Sequence, residues 1–301
     1  MLNVYEQIDS NKRKSWIIMV LFTVFITAVV YLFSRVLGFG SGYIGLALIL
    51  SGLGSLASYY YGDQMILAIS GARPANRKRD FQFYTVTENL CLAAQIPLPK
   101  LYIIEDTAPN AFAAGRDPKH AVVCATTGLL EKLTRTELEG VVGHELTHVR
   151  NYDTRLMAVV AILIGIVALL SDWFMRSLWW GGREEKEERG GMRGIIFVIA
   201  IIAAILSPLI GQLIQLAISR RREYLADAGS VMLTRQPSGL ISALEKISKD
   251  KEPLEAANKA TAHLYIINPF KGKGHEFVSW FSQLFETHPP LEDRIKILKA
   301  M

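Results

Sequence analysis

The residues of this chain best suited to chemistry are His144, Glu145 and His148, within the run Gly143-His144-Glu145-Leu146-Thr147-His148. On a helix, the two histidines sit about 40° apart around the axis and about 6 Å apart along it. Two imidazoles so placed can converge on one metal ion. Glu145 projects from the neighbouring face, about 60° from His148, and can reach a water on that ion without displacing a ligand. Imidazole nitrogen suits zinc, and catalytic zinc keeps one coordination position open for water. The ion lowers the pKa of that water towards about 7, and a carboxylate beside it can take the proton and pass it to a leaving amine. His-Glu-x-x-His is thus a hydrolytic motif, and its metalloprotease reading follows from these roles.

Such a site needs a third donor. Arg222-Glu223-Tyr224-Leu225-Ala226-Asp227 offers one, with Glu223 and Asp227 four residues apart on an expected helix. Glu223 fits the third ligand position, and Asp227 can accept a hydrogen bond from a ligand histidine and fix its tautomer. The plainer reading is a charged helix end with Glu223 paired to nearby arginines. Asp153, five residues past His148, either orients a ligand or ends the helix before the membrane, the second being the favoured reading. His120, His263 and His275 have no partner at ligand spacing and read as structural or surface residues. The two cysteines, Cys91 and Cys124, lack a neighbouring base, which argues against a thiol protease; so few cysteines also exclude a disulfide scaffold and permit a reducing compartment. The alternative to catalysis is a membrane scaffold with a structural zinc, although such sites usually have four protein ligands and favour cysteine.

The elements that must hold these residues are partly legible. Thr134 and Glu137 have capping-box spacing, with Leu133 and Leu138 at the staple positions, so a helix is expected to begin there and carry the motif. Gly140 and Gly143 each cost that helix about 1 kcal/mol, which points to close backbone packing. Phe81 to Ala94 reads as helical. Leu101 to Ile104 and Ala121 to Cys124 read as short strands, with Asn110 to Ala113 a further one or a loop turning on Pro109-Asn110.

Hydrophobic residues make up 50% of the 301 and charged residues 20%, with a mean hydropathy of +0.24. This excludes intrinsic disorder and is too apolar for an ordinary soluble domain. Four apolar runs stand out: Trp16 to Phe33, Tyr43 to Tyr61, Leu156 to Trp173 and Gly194 to Ile218. The first, after Lys12-Arg13-Lys14, reads as a retained anchor rather than a cleaved signal. The third and fourth either span the bilayer or pack on the soluble part. The basic N-terminus places the first run's start in the cytoplasm. An even number of runs separates His148 from Glu223, so both lie on one side. Arg135, Glu137, Glu139, Arg150 and Asp153 flank the motif, which puts the site at the membrane surface rather than within it. The net charge of +5 suits anionic lipid; without a basic stripe interleaved with aromatics, nucleic acid is not an expected partner. The expected layout is a membrane hairpin over 1–62, peptidase parts over 63–155 and 219–301, and a second membrane hairpin over 156–218.

On these motifs, with Pro109-Asn110-Ala111-Phe112-Ala113 and Thr287-His288-Pro289-Pro290-Leu291-Glu292-Asp293-Arg294, the chain resembles the HtpX-type membrane metallopeptidases, relatives of the CAAX prenyl endopeptidases. The resemblance covers nearly the whole chain. It implies a mainly α membrane protein with a zincin-like α+β peptidase domain and a small sheet. It implies one catalytic zinc held by His144, His148 and Glu223, with Glu145 as general base and Asp227 beside the ligands. The expected setting is the bacterial inner membrane, facing the cytoplasm, in stress-responsive quality control of damaged proteins, with polypeptides as substrates. In the family pattern His288 and Arg294 lie near the site and could stabilise an oxyanion; spacing alone equally allows a helix-start residue and a surface salt bridge. Asn110, Ala111, Phe112 and Ala113 would form an edge strand that pairs with substrate backbone, giving affinity without side-chain selectivity.

Overall fold

The computed structural model describes residues 4–37, 42–166, 220–250, 252–255, 264–266 and 289–301. The chain opens with two long helices, α1 (Val4–Leu37) and α2 (Gly42–Ile69), that pack together. Trp16 meets Tyr59 at a ring-centroid distance of 5.5 Å, and the Thr23 and Ser55 hydroxyls lie 3.3 Å apart, so the helices run antiparallel. Val20, Leu21, Val24, Ile49, Leu50 and Leu53 face outward. The hydroxyls of Thr27, Ser51 and Ser58 donate to carbonyls of their own helices, so no polar partner is needed outside. Such a surface suits lipid. Among the described residues one stretch, Ile44–Ile69, is long and apolar enough to cross a membrane.

The sequence reading closed the second apolar run at Tyr61, but the helix continues to Ile69. Nothing between Gly62 and Ile69 breaks it, and Gly71, at φ +60°, lets the chain turn away. Ile66 and Leu67 on this extension are buried against the sheet. Of the third run, residues 156–166 are helical and their side chains mostly buried; Met157, Ala158 and Ala161 pack in the same cluster. The remainder of that run, and the fourth run from Gly194 to Ile218, lie outside the described residues.

The sheet has four strands in the order β1-β2-β4-β3: β1 (Arg73–Pro74), β2 (Lys100–Ile104), β3 (Ala111–Gly115) and β4 (Ala121–Thr126). β2 and β4 are parallel; the other pairs are antiparallel. The two-residue β1 carries no sequence signal of its own. β3 begins one residue later than expected and runs to Gly115, with Ala111 opposite Ala125 and Ala113 opposite Val123. Alternate strand residues serve opposite faces. Leu101, Ile103 and Val123 join Phe83 and Val86 of α3 (Phe81–Ala94) and Val141 and Leu146 of α5 (Arg135–Arg150). Phe112, Val122 and Cys124 meet Ile66 and Met157 on the other face. Because both faces are covered, the strands read as unbroken apolar runs.

α4 (Thr127–Lys132) leads into α5. After the gap come α6 (Arg220–Thr234), α7 (Pro237–Lys249) and α8 (Leu291–Leu298). Leu240, Leu244 and Leu298 enter the same core as Leu146, so the two soluble stretches of sequence build one interior.

Candidate metal centre and active site

α5 positions the motif. Its capping box forms as the spacing predicts: Glu137 accepts from the Thr134 backbone N–H at 2.8 Å, and the staple residues Leu133 and Leu138 are buried. Glu137 also accepts from Lys246 (2.7 Å) and Ser242 of α7, fastening the two helices. Burial alone would raise the pKa of this carboxyl, but the bonds from Lys246, Ser242 and Thr134 prevail and hold it down at about 2. The two glycines are contact points. A Cβ on Gly140 would come 2.6 Å from the Leu240 backbone nitrogen, and one on Gly143 would come 2.9 Å from Ser230 Oγ on α6. Ser230 Oγ in turn donates to the Gly140 carbonyl at 2.6 Å. This close approach of α6 carries Glu223 to the histidines.

The His144 and His148 Nε2 atoms are 3.1 Å apart. Glu223 Oε2 lies 3.7 Å from His144 Nε2, and Oε1 lies 3.5 Å from His148 Nε2. Among the described residues this is the one group of three such side chains placed to hold an ion. With Zn–N and Zn–O distances of about 2.0–2.2 Å, donors around one tetrahedral zinc are about 3.4 Å apart, which this triangle fits. The far nitrogens are engaged as well. His144 Nδ1 sits 2.9 Å from Asp227 Oδ1, and His148 Nδ1 sits 3.0 Å from Asp153 Oδ2. Each imidazole donates its Nδ1 proton to a carboxylate, so both Nε2 lone pairs point at the shared space. Two buried acceptors facing each other call for a cation between them.

The charge balance agrees. Glu145, Asp153, Glu223 and Asp227 are all buried, against the buried guanidiniums of Arg222 and Arg294. Carboxylates outnumber guanidiniums in this cluster, a balance that favours a further cation among them. Glu145, 3% exposed, is pushed up to about 7, chiefly by burial and then by Glu223. Burial pushes His144 down to about 4 against the pull of Asp227. Burial also opposes charge on His148, yet Asp153 and Glu223 outweigh it and raise the group to about 9. Beside them, Asp227 is held below the usual carboxylate range despite burial, because Arg294 bonds it.

Of the two readings of Asp153, the structure shows the contact with His148 and not the plain helix end. α5 stops at Arg150, Tyr152 takes a left-handed φ of +60°, and the reversal brings Asp153 back beneath His148. A bulky residue rarely adopts that φ, which is why spacing alone did not reveal the turn. Arg294 is fully buried and forks onto Asp227 at 2.8 and 2.6 Å, with a further nitrogen 3.8 Å from Glu223. This is no surface salt bridge. His288, His263 and His275 lie outside the described residues. His120 is exposed and bonded to Asp117, as expected of a surface histidine. Cys91 and Cys124 are buried, and burial raises both thiols, Cys91 to about 12.

β3 runs beside the base at the edge of the sheet. Alternate residues make backbone bonds away from β4: the Ala111 carbonyl accepts from Ile266 N–H (3.1 Å), Ala113 N–H donates to Glu145, and the Gly115 carbonyl accepts from Thr154 (3.0 Å). Tyr265 packs edge-on to Phe112 with ring centroids 5.2 Å apart. Asn110 is buried and clamped by Thr126, its N–H donating to Thr126 Oγ1 and its carbonyl accepting from Thr126 N–H. No sequence signal marked Ile266 or Asn11, the latter a residue of α1 bonded to Asp153 at 2.7 Å.

The profile described as Peptidase family M48 matches residues 77–301. A "Protease HtpX homolog" of Dictyoglomus thermophilum is 42% identical over 297 residues, covering 99% of this chain and 94% of the relative. One from Caldanaerobacter subterraneus subsp. tengcongensis is 44% identical over 301 residues, covering 99% and 98%. Among solved structures, S. mikatae Ste24p matches with a TM-score of 0.45 at 17% identity; the alignment takes in 95% of this chain and 66% of that one.

Proposed function

The chain belongs to peptidase family M48, and from that premise we propose that it is a membrane-anchored zinc endopeptidase that cleaves polypeptides at the cytoplasmic membrane face. The observation that carries the reading is the triangle of His144 Nε2, His148 Nε2 and a Glu223 carboxylate with Glu145 alongside it. These three side chains would hold the zinc, with Asp227 and Asp153 orienting the two imidazoles; an ion there would supply Lewis acidity for a carbonyl and a water. Glu145 takes the proton from the attacking water and delivers it to the departing amine.

Of the expected substrate-pairing residues Asn110 to Ala113, the outward backbone of β3 at Ala111 is the place for an extended substrate, which would take the Ala111 carbonyl from Ile266 and lie beside Glu145. Backbone pairing selects extended chain rather than sequence, which suits unfolded or damaged membrane proteins and a quality-control role. Arg294 acts through Asp227 and Glu223, holding both carboxylates in place. His288 remains a candidate for stabilising the oxyanion, on the family pattern alone.

The test is digestion of an unfolded model protein by the purified, zinc-loaded chain and its Glu145→Gln variant, with metal analysis of both. Wild type should cleave. The variant should retain one zinc and lose cleavage by at least about 100-fold, the contribution of a positioned general base. Full activity in the variant, or none in zinc-loaded wild type, would overturn the proposal.

A further inference from the structure

Asn11 lies on α1, within the basic segment that precedes the first apolar run, and 140 residues before the turn it touches. An asparagine there would ordinarily be a solvated surface residue. Instead it is 1% exposed. Its Nδ2 donates to two acceptors: the Asn151 carbonyl at 3.0 Å and Asp153 Oδ1 at 2.7 Å. Its Oδ1 accepts from Arg222 at 3.4 Å, and Arg222 Nε is 3.5 Å from the same Asp153 oxygen. All of its hydrogen-bonding groups are therefore engaged inside the protein.

The neighbouring residue grips the same turn. Lys12 Nζ stands 4.4 Å from the centre of the Tyr152 ring, whose other cationic neighbour is Arg155 at 5.0 Å. Tyr152 is the residue with φ +60° that turns Asp153 back towards His148. A left-handed tyrosine is held only when its surroundings over-determine it. Asn11 and Lys12 contact all three residues of the reversal: Asn151 at its carbonyl, Tyr152 at its ring and Asp153 at its carboxylate.

We propose that Asn11 is a positioning residue for the metal ligand His148, acting through Asp153, so that the first membrane helix completes the metal site as well as anchoring the chain. One Asp153 oxygen takes the His148 Nδ1 proton; the other is held by Asn11 and Arg222. Without the amide, the carboxylate loses its shortest fixed partner and can rotate away from the imidazole. The ligand's tautomer and aim then loosen. The inference rests on the zinc reading of the site and extends it to a residue outside the matched peptidase region.

The experiment uses the full-length chain in detergent with the Glu145→Gln change to prevent self-digestion. Zinc affinity is measured by competition with a chromophoric chelator, and the melting temperature of the metal-free protein is recorded beside it. Asn11→Leu keeps the size of the side chain and removes the amide. It should weaken zinc binding about tenfold, the low end for loss of a group that orients a ligand. The same change in an Asp153→Asn background should weaken binding by less than about twofold, since its route to His148 is already cut. Asn11→Ala, which makes room instead of filling it, should give the same pattern. Zinc binding equal to that of the parent, or losses that simply add in the double variant, would overturn the proposal. So would failure of both Asn11 variants to fold, which would assign the residue to the fold alone. A parent protein that binds no zinc would instead sink the reading of the site itself.

Discussion

His144 and His148 are alike in sequence and different in setting. One hands its Nδ1 proton to Asp227, which Arg294 bonds twice; the other hands it to Asp153, which answers to Asn11 and Arg222. Each ligand thus has a carboxylate behind it and a cation behind the carboxylate. The arrangement makes Asp227 a lever on the metal. Asp227→Asn preserves shape but removes the charge that fixes the His144 tautomer, and it leaves Arg294 facing a neutral partner. Zinc affinity should fall about 10- to 100-fold, the range for loss of a ligand's carboxylate partner. Chelator competition on the purified chain measures this, and an unchanged affinity would show that the imidazole is oriented by something else. The His-Glu-x-x-His run, Glu223 and Asp227 were readable because helical spacing determines which side chains share a face. Asp153 was legible only as one of two readings, because its contact with His148 depends on one left-handed residue.

At the scale of elements, α5 is held at both ends by different means. Its start is fixed locally, by the capping box, and also at long range, because Glu137 receives Lys246 and Ser242 of α7. The local half was visible in the spacing of Thr134 and Glu137; the reach to α7 was not, since no periodicity relates residues more than 100 apart. These bonds have a pH signature. A free glutamate titrates near about 4.3 in the unfolded chain, whereas Glu137 in the folded chain is held at about 2. A depressed pKa contributes stability that is fully present above the unfolded value and is lost as pH falls through the folded one. The melting-temperature advantage of wild type over Glu137→Gln should therefore be constant above about pH 5 and shrink between about pH 4 and 2. A constant gap across that window would show that the fastening is not ionic. Gly140 and Gly143 were expected to mark close packing, and they do, against Leu240 and Ser230. β1 left no trace in sequence because two residues are too few to carry an alternation.

For the whole molecule, the determining fact is that Glu223 stands 3.5 Å from His148. Because residues before and after 167–219 build the site together, its two parts lie on one side of any membrane. The pair of helices α1 and α2 was legible because apolar residues cover their outward faces as well as their contact. The continuation of α2 to Ile69 was not, since Gly62, Asp63 and Gln64 interrupt the apolar run although they do not break the helix. The proposed cytoplasmic orientation rests on Lys12, Arg13 and Lys14 ahead of the first run, through the preference of basic residues for the cytoplasm. That orientation can be read with a single thiol. Cys91 and Cys124 are buried and their thiols are raised, so neither reacts readily with a maleimide at neutral pH. Glu131, at the exposed end of α4, lies on the peptidase side of the molecule. With Glu131→Cys, a membrane-impermeant maleimide should label inside-out vesicles and leave intact cells unlabelled. Labelling of intact cells would place the peptidase domain on the outer face, and damaged chains presented to it would then have to come from outside the cytoplasm.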